Sequence, residues 1–449
     1  MINTQSYGSV AIRTILLSTL IAISLSACDS SDTASTDPTD SNTSTTGQNS
    51  DEFITISLQS EIDQVQPLTG IALWAESWNN SSLKNTAGYI QLEYAYMRPS
   101  DVITGVGKYD WSHVETLLNE VAARDHQAIL RWYYVYPGET ETAVADYIKE
   151  YNDYNETIAL SEGNDTAFPD WSHQALQDAT IDFYSAFALK YDGDPRIAYL
   201  QVGFGLWGEY HIYSPGEVLG ENFPSKAFQT TFLNHMAKSF NVLPWSISID
   251  AGDSSNTPIA DSETLLSLEF GNFDDSFMHQ QHDDYNESMW ELFDHEARYI
   301  DSPHGGELSY YSSYDQQHAL DEQGMYGRTY EALSEQFHIS YMIGNDQPSY
   351  QTDERIKAAG LANGYKFEVT HFETSSTQAK VMVRNIGIAP IYYDAYITVN
   401  DVRSDKSLTS LLPGESAEYL VEAGGSEALL SISSDYILEG QIIQYQADF

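Results

Sequence analysis

Ile197-Ala-Tyr-Leu-Gln-Val-Gly-Phe-Gly-Leu-Trp-Gly-Glu209-Tyr-His211 is a short apolar stretch closed by a carboxylate. It reads as a buried β-strand opening into a polar end. A second stretch, His304-Gly-Gly-Glu307-Leu-Ser-Tyr310, has the same form. Outward from these two, strand-like runs alternate with helical patterns, which predicts a parallel sheet with helices outside it. The runs are Gly70–Ala75, Tyr89–Met97, Ala128–Val135, the run from Ile197, Trp245–Asp250, Ser276–His279, the run carrying Glu307, and Phe337–Ile343. The count reaches eight, so the expected fold is α/β, a (β/α)8 barrel. Glu209 and Glu307 then stand at the C-terminal ends of strands four and seven, the face where such barrels carry their sites.

Between the second and third runs, Val114, Leu117, Leu118 and Val121 follow the 3.6-residue period and predict a helix from Ser112 to Arg124. Ser112 is the expected N-cap, with Glu115 completing a capping box. A long polar insertion, about 138–170, is expected to lie over the barrel top. A helix from Ser172 to Tyr191 follows it, and Asp194-Pro195-Arg196 makes a tight entry to strand four.

From about Gly364 the texture changes. Tyr365–Val369, Ala379–Arg384, Tyr393–Val399, Ala417–Val421 and Leu429–Ser433 alternate apolar and polar residues between Asn, Gly, Pro and Ser. That pattern predicts a C-terminal antiparallel β-sandwich, 363–449, after a barrel over 53–362.

The chain has 66 acidic and 20 basic residues, a net charge of −46. Such a field repels nucleic acid and other polyanions and keeps a surface soluble in salt. The 32 tyrosines and 8 tryptophans suit either a large filled barrel or a surface that stacks on sugar rings.

Cys28 is the only cysteine, which excludes a disulfide framework and a cysteine metal cluster. Before it stand Arg13 and the apolar segment Thr14–Leu25, too short to span a bilayer comfortably. Leu25-Ser-Ala-Cys28 resembles the lipobox of bacterial lipoproteins. The resemblance implies a signal peptide over 1–27, lipidation of Cys28, and a cell-envelope location anchored to the inner or outer membrane, periplasmic or surface-exposed. Residues 28–52, rich in Ser, Thr, Asp, Asn and Gly, cannot bury enough surface to fold and read as a tether.

Two carboxylates facing each other across a barrel mouth are the minimum equipment for cleaving a glycosidic bond. The chain therefore reads as a glycoside hydrolase acting on a poly- or oligosaccharide without a cofactor. A glycan-binding lipoprotein whose carboxylates only hold hydroxyls is the alternative. Glu209, walled by Phe204, Trp207 and Tyr210, and Glu307, after the Gly305-Gly306 pair, are the candidate catalytic carboxyls. Carboxyls about 5 Å apart retain anomeric configuration, and those roughly 6.5–9.5 Å apart invert it. Arg98 or Arg131 is a candidate partner holding Glu307 ionised; each is otherwise an outer salt bridge. Trp74, Glu76, Trp132, Tyr134, Trp207, His211 and Asp250 lie near the expected mouth as candidate sugar contacts. His279 and His282 fall in the loop after strand six. Their spacing lacks a helical metal-binding frame, so they are read as cleft residues with no metal expected; a metal-dependent hydrolase using both and an acidic residue is the third reading.

Arg98-Pro-Ser-Asp-Val-Ile-Thr-Gly-Val-Gly-Lys-Tyr-Asp-Trp111, with its helix and Ala128-Ile-Leu-Arg131, resembles the early barrel of clan-A glycoside hydrolases, family-42 β-galactosidases among them. Gly205-Leu-Trp-Gly-Glu-Tyr-His211 and His304-Gly-Gly-Glu307 are more similar to the bacterial domain-of-unknown-function family numbered 4832. The clan-A resemblance implies an acid/base at Glu209, a nucleophile at Glu307 and a retaining reaction. One departure stands out: clan-A enzymes place Asn before the strand-four Glu, and here the residue is Gly208.

Overall fold

The computed structural model describes residues 52–79 and 83–449. The expected signal segment 1–27, the lipidation site Cys28 and nearly all of the tether lie outside the described residues. Among the described residues, no helix is long and apolar enough to cross a membrane.

Eight parallel strands close into a barrel: β1 Gly70–Trp74, β2 Leu92–Met97, β3 Gln127–Trp132, β4 Ile197–Val202, β5 Trp245–Ser248, β6 Gly271–Phe277, β7 His304–Leu308 and β8 Tyr341–Ile343. β8 pairs with β1 to complete the ring. Helices Ser112–Ala122, Gln174–Tyr191, Lys226–Ser239, Asp283–Leu292 and Tyr330–Gln336 lie in the crossovers that such parallel pairing requires. The helix layer is glued by aromatics: Trp132 and Phe183 meet edge-to-face at 4.7 Å, and Phe204 and Phe232 at 4.8 Å.

Three expectations about the elements are corrected. β6 begins at Gly271, ahead of the expected Ser276, and carries Asn272, Asp274 and Asp275 inside a strand. β8 starts at Tyr341 rather than Phe337, because His338 takes a left-handed turn (φ 53°) after the preceding helix. The capping box does not form. Trp111 is the N-cap without a side-chain bond, and Glu115 is drawn instead to Lys190 (2.7 Å) and Arg196 (2.9 Å). Those cations hold the Glu115 carboxyl down at about 2.

The insertion before β4 folds into a hairpin, Thr157–Ser161 with Asn164–Phe168, whose tip residue Glu162 reaches the barrel mouth.

The C-terminal region forms two sheets. One runs Ser416–Val421, Ala379–Asn385, Phe367–Thr374, Tyr445–Asp448. The other joins Ala395–Val399 to Leu430–Ser434 and Val402–Arg403. Val381, Val383, Ile397, Val399, Tyr419 and Ile432 are buried together in one apolar core, so the two sheets are sandwich-like. Most pairs are antiparallel, but Phe367–Thr374 and Tyr445–Asp448 run parallel. Ile54–Thr55 and Gln59–Ser60 also pair with this sheet, so the segment ahead of β1 belongs to it rather than to the barrel.

Three tyrosines seat the sandwich on the barrel. Tyr365 donates to the carbonyl of Pro67 (3.1 Å), Tyr392 to that of Tyr299 (2.7 Å) and Tyr393 to that of Ala198 (2.7 Å). All three carbonyls lie at or before the N-terminal ends of barrel strands. The sandwich therefore closes the bottom of the barrel and leaves the C-terminal mouth free.

Candidate active site

The mouth holds a cleft of about 1060 Å³. Glu209, on the loop after β4, and Glu307, within β7, both line it. Glu209 does not end its strand as expected. β4 stops at Val202, and the chain then folds back on itself. The N–H groups of Phe204 and Gly205 both donate to the carbonyl of Glu209, at 3.0 and 2.7 Å, and that of Leu206 donates to His211 (3.0 Å). Gly208 makes the fold-back possible. Its φ is +75°, and a Cβ there would lie 2.9 Å from the carbonyl oxygen of Trp132. An asparagine there would need the backbone to shift, so this tight turn favours the glycine that stands in place of the clan-A residue. On the opposite side, a Cβ at Gly306 would meet the carbonyl oxygen of Asp274 at 2.0 Å, so Glu307 rides on a backbone pressed against β6.

Glu209 is buried, and burial raises its carboxyl to about 8, against the lowering effect of His211. His211 Nδ1 lies 3.5 Å from Glu209 and 2.9 Å from Asp250. Burial opposes charge on His211, but the Glu209 and Asp250 carboxylates outweigh it and lift the imidazole to about 9. Asp250, despite burial, is held low by His211 and by hydrogen bonds from Ser248 (2.9 Å) and Tyr285 (3.3 Å). The three groups thus depend on one another for their protons, with burial favouring neutral Glu209 and His211 favouring ionised Asp250. One ligand atom from each lies within 4.8 Å of the others, a spacing that would also suit a metal ion.

Burial, then Asp275, raise the Glu307 carboxyl well above its ordinary value, with Arg131 pulling the other way. Its Oε1 has no hydrogen-bond partner among the described residues. Neither expected arginine pairs with it. Arg131 is fully buried and binds Asp275 (2.5 Å) and Gln201 (2.7 Å), with its guanidinium 4.2 Å over the ring of Phe273. Arg98 is half-buried, and its charge acts on Tyr133. Asp275 itself lines the cleft. Sequence reasoning missed it because β6 was begun after it. The available signal was Arg131, a lone cation within an apolar strand that needs a buried carboxylate.

The other expected site residues divide. Trp74, Trp207, His211, Asp250 and His282 line the cleft. Trp132 is instead fully buried in the helix layer, and Tyr134 bonds Thr180 there. Glu76 is exposed on the turn after β1, off the cleft lining. His279 sits behind the wall, its Nδ1 2.6 Å from Asp315 and its ring stacked on Tyr311. The cleft adds aromatics that sequence reasoning passed over: Tyr96, Tyr136, Tyr213, Tyr310 and Tyr311. Tyr96 packs edge-to-face on Trp74 (6.2 Å) and Tyr136 (5.7 Å), and Tyr136 on Trp207 (6.5 Å), forming one continuous aromatic wall.

Solved glycoside hydrolases are among the structures similar to this chain. Endo-glycoceramidase II from Rhodococcus sp. superposes with a TM-score of 0.42 at 9% identity, covering 82% of this chain and 100% of that one. A xylanase from Paenibacillus barcinonensis gives 0.41 at 10% identity, covering 67% and 99%. The catalytic domain of β-amylase from Paenibacillus polymyxa gives 0.39 at 11%, covering 66% and 99%. No family model matches the sequence, and no curated protein matches it. Likeness this distant carries no argument about chemistry, which rests on the cleft itself.

Proposed function

We propose that the cleft hydrolyses a glycosidic bond. The observation that carries the reading is the pair of carboxyls, Glu209 and Glu307, lining one cleft beside an aromatic wall, each with its proton affinity raised by burial. Glu209, protonated up to about 8, is the general acid for the leaving oxygen. Glu307 is the opposing carboxylate. It reacts in its ionised form, which Arg131 favours; its proton leaves to solvent through the open cleft before the bond to the sugar is made. In the retaining course proposed here, a Glu307 oxygen bonds to the anomeric carbon as the glycosidic C–O bond breaks, and the Glu209 proton passes to the leaving oxygen. Water, deprotonated by Glu209, then cleaves the glycosyl ester.

Eight carboxylic side chains line the cleft, and no lysine or arginine does among the described residues. Uncharged or amine-bearing sugars fit such a lining, and uronic or sulfated glycans are repelled. For the cell, we propose a lipoprotein anchored through Cys28; Cys28→Ser should shift the protein from the membrane to the soluble fraction.

The test is to screen the full chain against a glycan panel with Glu209→Gln and Glu307→Gln alongside. Cleavage by wild type and its loss in both variants support the reading. Cleavage that survives both substitutions sinks it. Saturable glycan binding without cleavage favours a non-catalytic binding protein instead.

A further inference from the structure

The rim of the cleft carries a bridge that hydrolysis of a glycosidic bond does not by itself require. Tyr213, on the loop after β4, and Tyr311, on the loop after β7, meet hydroxyl to hydroxyl at 3.1 Å. Both line the cleft, and both are half open to solvent, at 56% and 50% exposure. A bond between two exposed phenols is weak alone, but each ring here is braced. Tyr213 stacks on His211 at 3.9 Å, and His211 is tied to Asp250. Tyr311 stacks on His279 at 4.6 Å, and His279 is tied to Asp315. The Tyr311 N–H is also fixed by Ser309 Oγ (3.2 Å), which bonds Asp315 in turn (2.7 Å). Glu162, at the hairpin tip after β3, lines the same cleft, and its charge reaches Tyr311.

The strand order around the barrel gives this bridge its meaning. β4, β5, β6 and β7 are consecutive neighbours. A link between the β4 and β7 loops is therefore a chord across the mouth. It separates the sector over β5 and β6 from the aromatic wall on the remaining side. An extended polymer running from one sector to the other would have to cross the chord.

We infer that Tyr213 and Tyr311 form a strap that turns the cleft into a pocket for one end of a glycan chain. The protein then trims sugar units from that end instead of cutting within the chain. The terminal unit sits under the strap beside Glu209, and the rest of the chain leaves over Trp74, Tyr136 and Trp207. This inference rests on the hydrolysis proposed above. It makes the two tyrosines specificity-determining residues, not catalytic ones.

The experiment uses the full chain with end-labelled cello-, xylo-, manno-, laminari- and malto-oligosaccharides, resolving product lengths from the first turnovers. Wild type should shorten a substrate from one end by a constant step. Tyr213→Ala and Tyr311→Ala should each raise the share of internal cuts roughly tenfold. Tyr213→Phe and Tyr311→Phe, which keep the rings and lose the bond, should fall between. Melting curves check that the variants are folded. Mixed internal fragments from wild type overturn the strap while leaving hydrolysis standing, as do alanine variants with the wild-type pattern. No cleavage of any ladder by wild type removes the hydrolytic reading and the strap's role with it.

Discussion

Glu93 and Glu307 are both carboxylates on barrel strands, β2 and β7, and their surroundings are opposite. Glu93 is fully buried and fully partnered. Arg124 donates to both its oxygens at 2.7 Å, and His126 Nδ1 lies 2.7 Å from one of them. Glu307 faces the cleft with Oε1 unpartnered, and the nearby guanidinium of Arg131 is committed to Asp275. A buried carboxylate with every acceptor satisfied is a brace. One left without donors costs stability, and a fold retains it where chemistry uses it. Glu93 is fully buried and Glu307 is partly open to the cleft, and their partners separate them further.

That contrast can be broken by substitution. The largest effect expected is in rate. Glu209→Gln should lower turnover by about 10²–10⁴-fold, the usual worth of a positioned acid, with little change in melting temperature. Next is stability. Glu93→Gln should cost about 3 kcal/mol by leaving Arg124 and His126 without their anion, while turnover measured well below the melting point stays near wild type. Denaturant titration checks it.

A pH experiment sharpens the comparison further. Folded Glu209 keeps its proton up to about 8, whereas its ordinary value is 4.5. The folded state thus binds the extra proton, and stability from this group is full below 4.5 and lost as pH rises through about 8. Glu209→Gln should flatten that fall. The same proton sets the alkaline limb of kcat/KM near 8. Because His211 lowers the affinity of Glu209 for its proton, His211→Asn should move the limb upward. The smallest expected effect is that of a chelator: a two-carboxylate reaction needs no metal, so dialysis should leave activity unchanged.

Much of the barrel was legible because its strands are apolar runs closed by turns. β1, β3, β4 and β5 begin at or within a residue of their expected starts, since apolar residues dominate them. β6 was not legible. Its sequence Gly-Asn-Phe-Asp-Asp-Ser-Phe puts site and scaffold carboxylates inside a strand, and a polar run at that length reads as loop. The element that carries an unforeseen site residue, Asp275, is thus the one whose pattern failed. Glu115 shows the converse. Its local spacing favours a capping box, but two cations brought in from distant sequence outcompete a backbone N–H. The paired tyrosines of the rim were invisible for a third reason, because their contact joins loops 98 residues apart.

The most direct test measures turnover and melting temperature side by side for Glu307→Gln and Glu93→Gln on the same glycan. Glu307→Gln should lose turnover and keep or gain stability, and Glu93→Gln should lose stability and keep turnover. A Glu307→Gln variant that turns over like wild type, or that melts as early as Glu93→Gln, would contradict the assignment of Glu307 to chemistry.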